Sequence, residues 1–365
     1  QIVSGSGSKK EPVKISNGGI YAHAANGYAI LDVFENGASQ VKFINTSNNK
    51  IEFQTTVIKP NQKVNNQILT QKFPDSIQKS IYSVKKKKKS KLYNFLWGNR
   101  YRKYYSMPIT AKVASLDTLL GGLTPIRKGG GTQSRTLRLK AKDGKQYVMR
   151  ALKKEAVQYI QASLFKKQFV QKQFKNTASE DLVQDVFTGA YPYAPFVVEN
   201  LSEAINIKKL NSKLFYMPKQ DVLAQFNDEF GDELYLFEEH ASDGNLTLDD
   251  KNFTGNIYST YDVLKKIQEN ENQIIDEKEY IRARLFDMLI GDWDRHQDQW
   301  RWLEFKENDK IIFKPLPRDR DQAFSIMSDG FVLSTAVKLI PLAKLLRKYD
   351  EDLIDVKGFN IEPFP

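Results

Sequence analysis

The segment Arg282–Trp302 reads RARLFDMLIGDWDRHQDQWRW and packs four acids, four arginines and a histidine around three tryptophans. A second charged group, Pro317-Arg318-Asp319-Arg320-Asp321, follows a hairpin pattern. Phosphoryl transfer needs a carboxylate to take the proton of an incoming hydroxyl and further oxygens to hold magnesium on the phosphates. Asp294 fits the base role, since it lies in a loop after a helix pattern and Gly291. Arg295 and His296 could fix that loop or a phosphate, and Asp298 or Gln299 could offer magnesium an oxygen. Asp319 falls just past the end of the hairpin, where a metal-binding acid is needed, and Asp321 is a possible second ligand.

Two further features suit a phosphate site. Three consecutive glycines, Gly129, Gly130 and Gly131, let a backbone approach phosphate oxygens, and they precede a strand pair. Arg150, in YVMRAL on the second strand of that pair, supplies a cation. Lys153, Lys154, Arg138 and Lys140 are alternatives, and Glu180 and Asp185 are candidate partner acids. Each feature also has a plain reading: a surface loop, a strand-surface arginine, or a solvated turn.

The elements that position these residues follow from local patterns. Residues 1–57 read as short alternating strands (GYAILDVF, ASQVKFIN, IEFQTTVI) punctuated by Gly18-Gly19, Asn26-Gly27 and Asn36-Gly37. Residues 58–107 have weak periodicity and read as a basic linker. Residues 108–240 read as a β-rich lobe. It has a hairpin at Thr136–Lys140 and Gln146–Leu152 turning at Asp143-Gly144, helices at Ala156–Phe174 and Glu180–Ala190, and a buried strand in ELYLFE. Residues 241–365 read as a helical lobe with helices at Thr260–Gln268 and Glu277–Ile290. On the second, Ile281, Leu285, Met288 and Leu289 form the expected buried face. The class is α+β. The start at Gln1 and the end at Pro365 suggest a piece of a longer protein.

Charge and composition narrow the partners. The net charge is +11, and residues 85–103 hold nine Lys/Arg and no acid. That window is expected to be a solvated tether, with contact to acidic lipid headgroups through Lys85–Lys91 as the alternative. No recognised nucleic-acid module accompanies it. With no cysteine and three histidines, thiolate metal sites are excluded and a histidine-rich zinc site is disfavoured.

Leu289–His296 resembles the catalytic loop of HipA-like and CotH-type atypical kinases, secretory-pathway kinases and type II phosphatidylinositol 4-kinases. Asp319–Phe324 is similar to their metal-binding motif. GGGTQSRTLRL, YVMR, LFEE, FDMLIGDWDRHQDQWRW and PRDRDQAF together look like the kinase-like region of large Bacteroidota envelope proteins. In those, a calcineurin-like metallophosphoesterase domain comes before the region and an outer-membrane surface-antigen β-barrel after it. The resemblance covers roughly residues 115–330. It implies a bilobal kinase-like fold, ATP and Mg²⁺ as cofactors, and an unknown hydroxyl acceptor. It also implies Asp294 as base, Asp319 as metal ligand, and a hinge at Phe237-Glu238-Glu239 that meets adenine. Residues 1–57 would then close the phosphoesterase domain, and the protein would sit in the cell envelope at the outer membrane. The pattern departs at Gln299, where asparagine is usual, at Arg150, where lysine is usual, and at Asp321, where glycine is usual. Those departures imply the alternative of an inactive pseudokinase scaffold joining a metallophosphoesterase domain to an outer-membrane barrel, with phosphoesterase hydrolysis as the parent protein's main activity.

Overall fold

The computed structural model describes residues 13, 15, 20–33, 39–57, 72–83, 89–129, 133–163, 174, 176–326 and 328–339. The chain forms two compact units, one of Gln1–Leu69 with Ala156–Glu180, the other of Thr70–Glu155 with Asp181–Pro365. The fold is α+β.

In the first unit, β1 (Gly27–Val33), β2 (Ser39–Asn45) and β3 (Lys50–Val57) form an antiparallel meander. Tyr21 stacks on Phe53 at 4.5 Å, with Phe43 beside them. Gly27 opens β1 instead of making a turn, and Gly18-Gly19 and Asn36-Gly37 lie outside the described residues.

The second unit begins with β4 (Ser76–Lys79), the short helices α1 (Lys91–Trp97) and α2 (Arg102–Ser106), β5 (Ile109–Val113), β6 (Leu123–Lys128), β7 (Ser134–Ala141) and β8 (Gln146–Lys154). Helix α3 (Ala156–Ser163) belongs to the first unit, and the remainder of that expected helix, residues 164–173, lies outside the described residues. Helices α4 (Ala178–Phe187) and α5 (Ala194–Ala204) follow, then β9 (Lys213–Met217) and β10 (Glu233–Glu239). The strands assemble in the order β4-β5-β9-β10-β8-β7-β6. Asp143-Gly144 closes the β7–β8 hairpin: Gly144 takes φ +94, and the Asp143 carboxylate accepts from Lys145 N at 3.0 Å.

Strand alternation divides this sheet's two faces. Leu137, Leu139, Tyr147, Met149, Tyr235 and Phe237 fill a core on one face. The opposite face carries Leu152, Leu234 and Leu236. Arg150 and Lys154 share that face by the same period of two, as do Thr136, opposite Arg150, and Arg138, opposite Val148.

The chain then forms β11 (Phe253–Tyr258), α6 (Thr260–Glu269), β12 (Gln273–Ile275), α7 (Glu277–Leu289), β13 (Trp300–Glu307), β14 (Lys310–Pro317) and α8 (Phe331–Leu339). The expectation of a helical lobe over residues 241–365 is corrected, because a four-stranded sheet, β11-β13-β14-β12, lies at its centre. Trp300 and Trp302 pack on one face of it against Phe286 and Ile290, while Leu303 and Phe305 fill the other. Among the described residues no helix is long and apolar enough to cross a membrane.

The buried face of α7 also differs from the expected one. Ile281, Leu285 and Leu289 are 55%, 60% and 82% exposed, whereas Ala283, Phe286, Asp287 and Ile290 face inward. Both sets obey helical spacing. The large aromatic Phe286, and the capacity of Asp287 to collect cations, decide which one is buried.

The linker reading of residues 58–107 is corrected where they are described. Strand β4 pairs with β5, and Arg102 is buried in a bidentate ion pair with Asp185 of α4, at 2.6 and 2.7 Å. Arg100 donates to the Asp185 carbonyl at 2.8 Å, and Tyr93 OH to its carboxylate at 3.1 Å. Asp185 is therefore not the partner of Arg150. Lys85–Lys88 lie outside the described residues. Removing one member of a buried pair strands the other charge, at a cost of about 3–5 kcal/mol. Arg102→Met is expected to lose that much stability in urea denaturation. A loss below about 1 kcal/mol would show the pair to be dispensable.

Candidate functional site

The shared face of β7 and β8 looks onto two loops. One is the 291–299 stretch after α7, and the other is the 318–322 turn after β14. Between them lies a cleft of about 1050 Å³, counted to its open mouth, whose walls include Gly129, Arg150, Lys154, Asp294, Gln299 and Asp319.

The cleft is dense in paired charge. Arg150 hydrogen-bonds Asp319 through Nη1, and its Nη2 lies 3.9 Å from Glu238. Lys154 hydrogen-bonds Asp321. Asp319 is held in the left-handed region at φ +56. Burial works to raise its pKa, but Arg150 and Lys154 outweigh burial and hold it at about 2. Arg150 is pushed up, chiefly by Asp319. Arg318 is lowered to about 10 by burial and by Arg301.

Asp294 titrates the other way. Burial raises its pKa, and the nearby Asp321 adds to the effect. A carboxylate made a better proton acceptor in this way suits a general base. His240 is lowered to about 4 by burial and by Arg138, so its ring is neutral at pH 7. Nε2 then accepts from Arg138 at 2.7 Å, and Nδ1 donates to Ser242 at 2.9 Å.

The other expected site residues separate into those at the cleft and those away from it. His296 and Gln299 line it. Asp298 does not, and its side chain is 82% exposed. Arg295 is buried and turns inward, donating to the carbonyls of Arg318 at 2.5 Å and Gln299 at 3.2 Å. It ties the two loops together and does not line the cleft. Gly129 donates to the Thr136 carbonyl at 2.8 Å, and a Cβ there would come within 2.8 Å of the Thr136 side chain. Gly130 and Gly131 lie outside the described residues. Glu238 lines an adjacent, largely apolar cavity with Leu152, Leu236 and Val198, and Arg150 and Asp319 form part of the wall shared with the cleft.

Among the described residues, no three acids or histidines converge into a metal cage. Magnesium does not require one, because it is commonly held by one or two carboxylates with phosphate oxygens and water. Asp319 and Asp321, with the Gln299 amide oxygen, fit that donor chemistry.

Asp287, Asp292, Arg318 and Arg320 were not singled out from the sequence. Arg318 and Arg320 are legible only as charge within Pro317–Asp321, and Asp287 only as an interruption in the inward face of α7. No family model, curated protein or solved structure matches the chain.

Asp292 is fully buried, its carboxylate oxygens accept no hydrogen bond among the described residues, and Arg295 Nη1 stands 3.8 Å away. Burial outweighs that arginine and pushes the carboxyl up to about 8. The native chain therefore keeps a proton that the unfolded chain releases above the usual carboxylate range. Stability falls as pH rises through this window, up to about 8. Asp292→Asn removes the penalty. Its melting temperature relative to the wild type is expected to be more favourable at about pH 8.5 than at about pH 5.5. An equal difference at both pH values would contradict the shift.

Proposed function

We propose that the cleft is a phosphoryl-transfer site of the atypical-kinase type, taking ATP with Mg²⁺ and passing phosphate to a hydroxyl acceptor. The observation that carries this reading is the convergence of Asp294, Asp319 and Asp321 with Arg150 and Lys154 in one cleft. The order of the parts supports it: a glycine turn, a cation on the second following strand, then helix, aspartate loop, hairpin and aspartate.

The residues divide the work. Arg150 and Lys154, with Arg138 and Arg318 on the same wall, are cations that can meet the phosphate chain, and Gly129 borders the same space. Magnesium, when bound to Asp319 and Asp321, would neutralise charge on the phosphates. Asp294 accepts the acceptor's proton as the hydroxyl oxygen bonds to the γ-phosphorus. The bond from that phosphorus to the β–γ bridging oxygen breaks, and ADP leaves with the electron pair. The cleft contributes positioning and fixed charge, which dominate catalysis in reactions of this class.

Melting with ATP, with Mg²⁺ and with both tests the reading. The pair together is expected to stabilise the protein by about 2.7 kcal/mol at a hundredfold excess over Kd. Asp319→Asn should abolish the magnesium-dependent part. Asp294→Asn should keep it and slow ADP release by about 10²–10⁴-fold. A melting curve indifferent to nucleotide and metal would remove the reading and leave a scaffold.

A further inference from the structure

Both loops of the cleft are anchored beneath it by a residue that does not touch the cleft. Asp287, on the inward face of α7, has no exposed surface. Its carboxylate meets three guanidinium groups. Arg284 Nη1 donates to Oδ2 at 3.0 Å, Arg295 Nε stands 3.3 Å from Oδ2, and Arg320 Nη1 donates to Oδ1. Arg284 comes from the same helix. The other two come from different loops: Arg295 adjoins Asp294, and Arg320 lies between Asp319 and Asp321.

We propose that Asp287 is a positioning residue that sets the distance between the Asp294 loop and the Asp319 turn. Its catalytic consequence rests on the phosphoryl-transfer reading, while the clamp itself does not. The surrounding contacts point the same way. The Asp287 carbonyl accepts from Asp292 N at 2.9 Å, which fixes the start of the first loop. Phe324 N donates to the Ile290 carbonyl at 2.7 Å, which brings the end of the second turn back to the end of α7. Arg295 and Arg320 also lie over Trp300 and Phe286, at 4.8 and 5.3 Å from the ring centroids, so each guanidinium is held from two sides. A hydrophobic residue at position 287 could fill the space, but it could not join two cations from separate loops. The acid is required because both loops deliver their positive charge to one buried point.

Hydrogen exchange by mass spectrometry on the free protein reads the clamp without any ligand. In Asp287→Asn, amides of residues 291–299 and 318–324 are expected to exchange about tenfold faster or more, together, while β7, β8 and β10 keep their protection. Arg284→Met keeps both loop arginines on Asp287 and should loosen the two stretches less than Asp287→Asn does. If Asp287→Asn does not fold, Arg320→Met tests the same clamp from its other end and should loosen 291–299 as well as its own turn. Loosening confined to the substituted element overturns the proposal. In turnover with ATP and Mg²⁺, Asp287→Asn should lower kcat at least about tenfold while KM for ATP stays within a few-fold. A wild-type protein inert toward nucleotide, with both loops loosened in Asp287→Asn, sinks the phosphoryl-transfer reading and upholds the clamp. Active wild type with unchanged exchange in both variants does the reverse.

Discussion

A carboxylate withdrawn from water needs positive charge close by, and the arrangement of this cleft follows from that need. Asp319 and Asp321 come within reach of a third acid, Asp294, and each of the first two takes a cation from β8. Without Arg150 and Lys154 the 318–322 turn would carry uncompensated charge against a buried wall. At Asp294, burial and the neighbouring Asp321 outweigh His296 and Arg295, so this carboxylate gains proton affinity. One electrostatic constraint thus keeps Asp319 ionised and leaves Asp294 poised to accept a proton.

Sheet geometry makes the constraint satisfiable. Arg150 and Lys154 are four residues apart on a strand, so they point to the same side and meet Asp319 and Asp321, two residues apart on the turn. The β13–β14 hairpin fixes where that turn begins, and its tryptophans seat the hairpin on α7. The helix ends at Leu289, and Gly291, just past its cap, takes φ +64 and releases the chain into the Asp294 loop. Core packing, turn chemistry and charge balance therefore converge on the same few residues.

Much of this was legible in the sequence, and the failures have physical causes. Strands β1–β3, the Asp143-Gly144 hairpin, β10, β13 and β14 follow alternation and turn residues, so their positions were readable to within a residue or two. Strands β5, β9, β11 and β12 were not, because their short runs acquire meaning only through long-range pairing. Arg100 and Arg102 read as solvated because an acid-free window hides their partner Asp185, 85 and 83 residues away. Helix α7 offers two stripes at the same period, and the large aromatic Phe286 together with the arginines gathered on Asp287 selects the inward one. Of the site, the positions of Asp294, Asp319 and Arg150 were legible. The inward turn of Arg295 was not, because its partners lie in other parts of the chain.

On the phosphoryl-transfer proposal, the paired acids of this cleft take a metal and a nucleotide, and their charges are balanced by Arg150 and Lys154 when neither is bound. A crystal structure with a non-hydrolysable ATP analogue and Mn²⁺ tests it most directly. The account predicts an anomalous peak within about 2.3 Å of an Asp319 oxygen. It further predicts that Arg150 has moved from Asp319 onto a phosphate and that Asp294 faces the terminal phosphate. A peak elsewhere, or Arg150 still paired with Asp319 while nucleotide fills the cleft, would contradict it.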